Sequence, residues 1–271
     1  GIADVKPRSA AFKKKVMAGA GLTAAALAAA IGVHVFGPDL WEPLRPTAPI
    51  AATTPAPAPV SPAQRLEAAL SGLTGEESAR GAFNVLARLW NSSPVDEAVD
   101  PQSLEGAARQ SGFSLHRFSG NLGALLRLDS PAILELRLPG IEGKRWAALM
   151  GMKDGQILVD SPPAGKGAIS TVELERYWTG RALILWKNPL DIPVKVPPGA
   201  SGRHVRDLQG LLARAGATGG QATGRYDRQT IEAVRDFQSA RGIEPDGVAG
   251  QQTLILLYRV ADPAATPGLV R

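Results

Sequence analysis

A short phrase occurs twice between Gly224 and Leu254: a Gly and an Asp lead into a Thr at the start of a helical pattern. The first copy is Gly224-Arg225-Tyr226-Asp227-Arg228-Gln229-Thr230; the second is Asp246-Gly247-Val248-Ala249-Gly250-Gln251-Gln252-Thr253. Asp227 precedes an apolar periodic run, so its carboxylate can accept from the free N–H groups of a first helical turn. Ile231, Val234 and Phe237 recur at three-residue spacing, with Ala233 and Ala240 filling out the same face. Gly242 ends that helix, and Asp246-Gly247 turns the chain toward a third helix from Thr253. Upstream, His204 to Ala215 supplies a first helix with Val205, Leu208, Leu211 and Leu212 on one side. The pattern predicts a small three-helix module over residues 191–260, followed by a tail at 261–271.

This module resembles the peptidoglycan-binding domain of the PG-binding-1 type. The matching positions are Gly202, Val205, Leu208-Gln209, Leu212, Gly216, Gly224, Tyr226-Asp227, Thr230, Ala233-Val234, Phe237-Gln238, Gly242, Asp246-Gly247, Gly250 and Thr253-Leu254. Most of them cap helices, turn loops or fill a core. The resemblance implies peptidoglycan as a partner. That polymer presents sugar hydroxyls, amides and stem-peptide carboxylates, so its site should combine an exposed aromatic, backbone donors at turns and guanidinium groups. Arg225, Tyr226, Asp227, Arg228, Asp246 and Gly247 offer that set. The plainer alternatives are that Tyr226 packs on the first helix and that Arg225 and Arg228 are solvated surface charge.

The 271 residues suggest about two domains. There is no cysteine, which removes disulfides, thiolate nucleophiles and Cys-based metal sites together. The net charge of +5 is uneven: Lys6, Arg8, Lys13, Lys14 and Lys15 crowd residues 1–15 against Asp4 alone. A basic pI therefore gives no support for nucleic-acid binding. Val16 to Phe36 is a 21-residue run without a formal charge, long enough for a membrane-spanning helix. The basic segment before it places the N-terminus in the cytoplasm and everything after Gly37 in the periplasm. A cleaved signal peptide is the rival reading. The anchor is favoured because the chain starts with Gly1, as a piece of a longer protein would, and the basic run lies well inside it. Residues 37–62 form a linker with eight prolines among Ala and Thr; at ~3.1 Å per residue it reaches on the order of 80 Å.

Residues 63–190 read as α+β: helices at 62–71, 76–91 and 101–111, then strands joined as an antiparallel meander with turns at Pro139-Gly140 and Asp154-Gly155. This region resembles C39-like, papain-fold peptidase domains. The resemblance rests on Leu128 to Leu134, Arg145 to Leu149, Asp160-Ser161-Pro162 and Tyr177 to Gly180. By that resemblance Arg145 stands where the catalytic His belongs, Asp160 is the surviving orienter, and the nucleophilic Cys is missing. A thiol protease needs a thiolate, a base and an orienter, so the expectation is a degenerate domain without catalytic residues.

The order of segments is similar to the general secretion pathway protein A family. The resemblance implies a cytoplasmic AAA+ ATPase ahead of the membrane helix, a B-type partner, contact with the secretin, and homo-oligomers in the inner membrane that carry the type II secretion channel through the wall. No Walker A motif occurs here. His34, His116 and His204 lack the spacing of a zinc hydrolase, so neither metal nor cofactor is expected. The competing function is a cell-wall hydrolase or peptidase that uses the helical module as an accessory; a plain membrane-to-wall tether is a third.

Overall fold

Two capping boxes open the described chain. Gln64 N donates to Ser61 Oγ (3.2 Å) while Ser61 N donates to Gln64 Oε1 (2.8 Å), and Pro62 pre-sets the first turn of α1, Pro62–Ser71. Thr74 and Glu77 repeat the exchange at α2, Gly75–Leu89. The computed structural model describes residues 60–96, 104–162, 165–217 and 220–271. The basic segment, the membrane helix expected at 16–36 and nearly all of the linker lie outside them. Among the described residues no helix is long and apolar enough to cross a membrane.

After α3 (Leu104–Gln110) come β1 (Ser114–Ser119), α4 (Leu122–Arg127), β2 (Ala132–Leu136), β3 (Arg145–Lys153), β4 (Gln156–Ser161), β5 (Gly165–Ser170), α5 (Thr171–Glu175) and β6 (Trp178–Trp186). The six strands make one antiparallel sheet in the order β1-β6-β2-β3-β4-β5. The expected meander therefore holds for β2 to β5 only, because β6 inserts between β1 and β2. The reason is in the side chains. Ala182 to Trp186 are buried on both faces, as a central strand requires, whereas the Ser-Leu-His-Arg-Phe-Ser of β1 suits an edge. β5 is an addition to the strands expected: its Gly-Lys-Gly-Ala start has no strand propensity and is held by the ladder to β4.

α2 covers part of one sheet face, where Phe83 and Leu86 meet Ile133, Trp146 and Leu183. The other face carries a larger core. Leu66 and Leu70 of α1, Leu125 of α4 and Leu134, Ile157 and Ile184 of the sheet belong to it. That core continues without a break into the helical module: β7 (Lys195–Val196), α6 (Arg203–Arg214), α7 (Arg228–Ala240), β8 (Ala249–Gly250) and α8 (Gln251–Ala261). Trp186 and Tyr258 lie 6.3 Å apart across the junction, and Tyr258 donates to Asn188 Oδ1 at 2.8 Å. The C-terminal residues return to the sheet. Met152 N donates to Val270 O (2.8 Å) and Val270 N to Met150 O (3.0 Å), along the part of β3 that β2 leaves unpaired. Arg259 and Arg271 both converge on Asp129, at 3.2 and 3.1 Å. The segment expected as a tail is thus a fastened strap.

His116 of β1 stands at the same junction. Gln251 donates Nε2 to Leu115 O (3.3 Å), which turns its Oε1 toward His116 Nδ1 (2.9 Å) and leaves His116 Nε2 buried without a partner. Burial lowers the His116 pKa below 6.5, and the Gln251 hydrogen bond opposes that only in part. Folding therefore favours the neutral ring. The stability it contributes is complete above the unfolded value of 6.5 and is lost as pH falls below it. Urea midpoints measured from pH 8 to pH 5 should fall more steeply for the parent than for His116→Leu; parallel profiles would sink this assignment.

Candidate functional site

Two buried glutamines build the turns of the helical module. Gln209 of α6 donates Nε2 to Arg225 O (3.0 Å) and Thr230 Oγ1 (2.9 Å) and accepts from Gly224 N (2.8 Å). Gln238 of α7 donates Nε2 to Asp246 Oδ1 (2.8 Å), Val248 O (3.0 Å) and Thr253 Oγ1 (3.1 Å) and accepts from Gly247 N (2.9 Å). The two arrangements superimpose in kind: a clamped Gly at positive φ, a clamped carbonyl one residue on, and a clamped Thr six residues on. This is what the doubled phrase encodes. Asp227 caps α7 by accepting from Thr230 N (3.0 Å), and Gly250 occupies the equivalent position before α8. The N–H and hydroxyl of Thr230 hold the Asp227 carboxyl below the usual carboxylate range.

Tyr226 ties one turn to the other. Its hydroxyl donates to Gly247 O (3.0 Å) and accepts from Ala249 N (3.1 Å), and the residue is 2% exposed. Burial pushes its phenol up to about 12, so it remains a donor at neutral pH. The exposed aromatic expected at the site is therefore corrected. Tyr226 is core, because its ring fills the space between the turns and its hydroxyl finds backbone partners there. Gly247 is likewise buried; a Cβ on it would press against Ile231 and Arg235. The exposed residues are Arg225, Asp227, Arg228 and Asp246, with the Asp227 carboxylate already engaged at the start of α7. Arg228 leans on Glu232 (2.9 Å), Asp246 caps its own turn through Val248 N (2.8 Å), and the Arg225 side chain forms no ion pair among the described residues. Of the six expected contact residues, the structure leaves Arg225 as the freest charged donor. Gln209 and Gln238, which place every turn atom, were legible only as Leu-Gln and Phe-Gln pairs each preceding a Gly and a Thr six residues apart.

In the sheet region, Arg145 is committed to backbone carbonyls: Nε donates to Leu70 O (3.1 Å) and Nη1 to Lys144 O (3.0 Å) and Glu142 O (3.3 Å). Asp160 lies opposite Ala148 and Lys166 in the ladder and forms no ion pair with Arg145. A guanidinium held by carbonyls cannot act as a general base.

Residues 201–257, which carry this paired-turn, three-helix geometry, match the family described as "Putative peptidoglycan binding domain". The chain is, further, similar to general secretion pathway protein A. It is 26% identical over 187 residues to the "Putative general secretion pathway protein A" of Escherichia coli (strain K12), a match covering 68% of this chain and 36% of that protein. The chain thus spans about a third of that relative's length. Over 71 residues, 26% of this chain and 28% of the other, it is 41% identical to a zinc D-Ala-D-Ala carboxypeptidase of Streptomyces albus G. Among solved structures, a periplasmic domain of the EpsAB fusion protein of the Vibrio vulnificus type II secretion system aligns with a TM-score of 0.46 at 20% identity, covering 72% of this chain and 85% of that one.

Proposed function

We propose that this chain is the non-catalytic, periplasmic part of an inner-membrane protein that holds peptidoglycan while a type II secretion channel is assembled through the wall. The observation that carries this reading is the pair of glutamine-clamped turns in a module that matches a peptidoglycan-binding family, on a relative of general secretion pathway protein A. Anchoring through residues 16–36, a B-type secretion partner, contact with the secretin and self-association belong to the same reading. So does a C39-like ancestry for residues 63–190. Against the hydrolase alternative, the sequence has no cysteine, and the residue that the C39-like resemblance puts in place of the base is Arg145, whose guanidinium donates to Leu70 O.

Wall contact is assigned to Arg225, with Arg228 and Asp246 at its margin; Tyr226 and Gly247 act by holding the turns. Charge-assisted hydrogen bonds are worth ~1.5–3 kcal/mol. Arg225→Ala should therefore weaken sedimentation of the purified chain with wall sacculi about tenfold, with circular dichroism unchanged. No soluble wall fragments should be released during the incubation. Parent protein that stays in the supernatant at low salt would overturn wall binding; released fragments would overturn the non-catalytic reading.

A further inference from the structure

Strand alternation gathers positive charge at the end of the sheet face that α2 does not cover. On that face the apolar Ile133, Trp146 and Leu183 give way, two residues along their strands, to Glu135, Lys144 and Arg181, with Arg137 and Arg117 beside them. The result is a cleft of about 910 Å³, walled by Gly75 at the start of α2 and floored by Trp146 and Leu183. A shallower extension of about 500 Å³ shares Glu135, Lys144 and Arg181 and adds Arg137, Arg176 and Trp178.

Charge is otherwise nearly balanced in this part of the chain: residues 60–271 hold 24 Lys and Arg against 22 Asp and Glu. Around the cleft, five cations face one buried carboxylate. Glu135 takes Lys144 Nζ at 2.8 Å and Thr179 Oγ1 at 3.0 Å, and Arg117 pairs with Glu105 outside the cleft at 3.4 Å. Arg137, Arg176 and Arg181 form no ion pair among the described residues. A second observation is independent of charge. Trp146 lines the cleft at 5% exposure, and its buried indole N–H has no acceptor. An orphaned buried donor calls for a partner.

We infer that this cleft binds a short, extended peptide bearing two or more carboxylates. Planar guanidinium groups fork onto carboxylates, the indole N–H suits a carbonyl or carboxylate oxygen, and the apolar floor accepts small alkyl side chains that a bare glycan lacks. Such a peptide could come from a wall stem or from an acidic segment of a protein, which share this chemistry. The inference does not depend on wall binding by the helical module.

The test is calorimetric titration of the full chain with three probes at low salt. They are the stem tetrapeptide L-Ala-γ-D-Glu-meso-diaminopimelyl-D-Ala, an L-peptide alternating Glu and Ala, and its Gln counterpart. One or both acidic probes should bind and the Gln peptide should not; which acidic probe binds identifies the source. Arg137→Glu combined with Arg181→Glu should weaken binding at least tenfold. Lys153→Glu, the same charge change on an exposed residue outside the cleft, should alter it less than twofold, and so should Arg225→Ala. Both exchanged arginines are exposed, so circular dichroism should be unchanged. Failure of both acidic probes, or equal losses in the cleft and Lys153 variants, would overturn the inference.

Discussion

Gln238→Ala is expected to remove about 3–5 kcal/mol of stability, because it leaves Gly247 N–H, Val248 C=O and Thr253 Oγ1 without their partner in a buried turn. Each such orphaned group costs roughly 1–3 kcal/mol, against a total stability of about 5–15 kcal/mol for a domain. Urea unfolding followed by far-ultraviolet circular dichroism measures it. Gln238→Glu separates hydrogen bonding from packing. The carboxylate keeps an acceptor for Gly247 N but faces Asp246 and Val248 O with no proton to donate. That variant should be destabilised at neutral pH and partly recover in acid, where its carboxyl regains a donor. A loss below 1 kcal/mol in the Ala variant would mean that water replaces the clamp.

The second large effect concerns Gly151, at the bulge of β3. A Cβ there would overlap the backbone of Val270, so a side chain and the returning strap cannot occupy the same space. Gly151→Val should expel the strap, breaking both Val270 hydrogen bonds and freeing Arg271 from Asp129. The expected cost is about 2–3 kcal/mol, at the upper end for inserting bulk into a packed site. Trypsin should then cut after Arg259 in the variant and spare the parent. Removing residues after Pro263 in the Gly151→Val background should cost little more, since the contact is already lost. Protection of the strap in the variant would show that β3 yields instead.

Local chemistry was the readable part of this fold. Ser61, Asp227 and Gly242 announce helix ends because caps and left-handed C′ positions are settled by neighbours a few residues away. The strand order was not readable. Ala182 to Trp186 looks like any apolar strand, and only pairing with both β1 and β2 reveals its central place. Nor could β5 be read, since a Gly-Lys-Gly run becomes a strand only beside β4. The candidate site shows the same division. Arg225 and Arg228 were expected at the surface and are there, whereas Tyr226 is claimed by a turn 21 residues away. The basic cleft is not legible in the sequence because its cations are scattered: Arg117 and Arg181 come from β1 and β6, and Arg137, Lys144 and Arg176 from the connections beside β2, β3 and α5.

One hydrophobic core runs from α1 to α8, so the sheet and the helical module are expected to unfold as one unit. Linkage then applies to the pair as a whole. A ligand held by either part at a hundred times its dissociation constant adds about 2.7 kcal/mol to the unfolding free energy of both. A weak grip on the wall by the helical module would thereby lengthen the life of the sheet as well, and a chain released from its site would be the more perishable form.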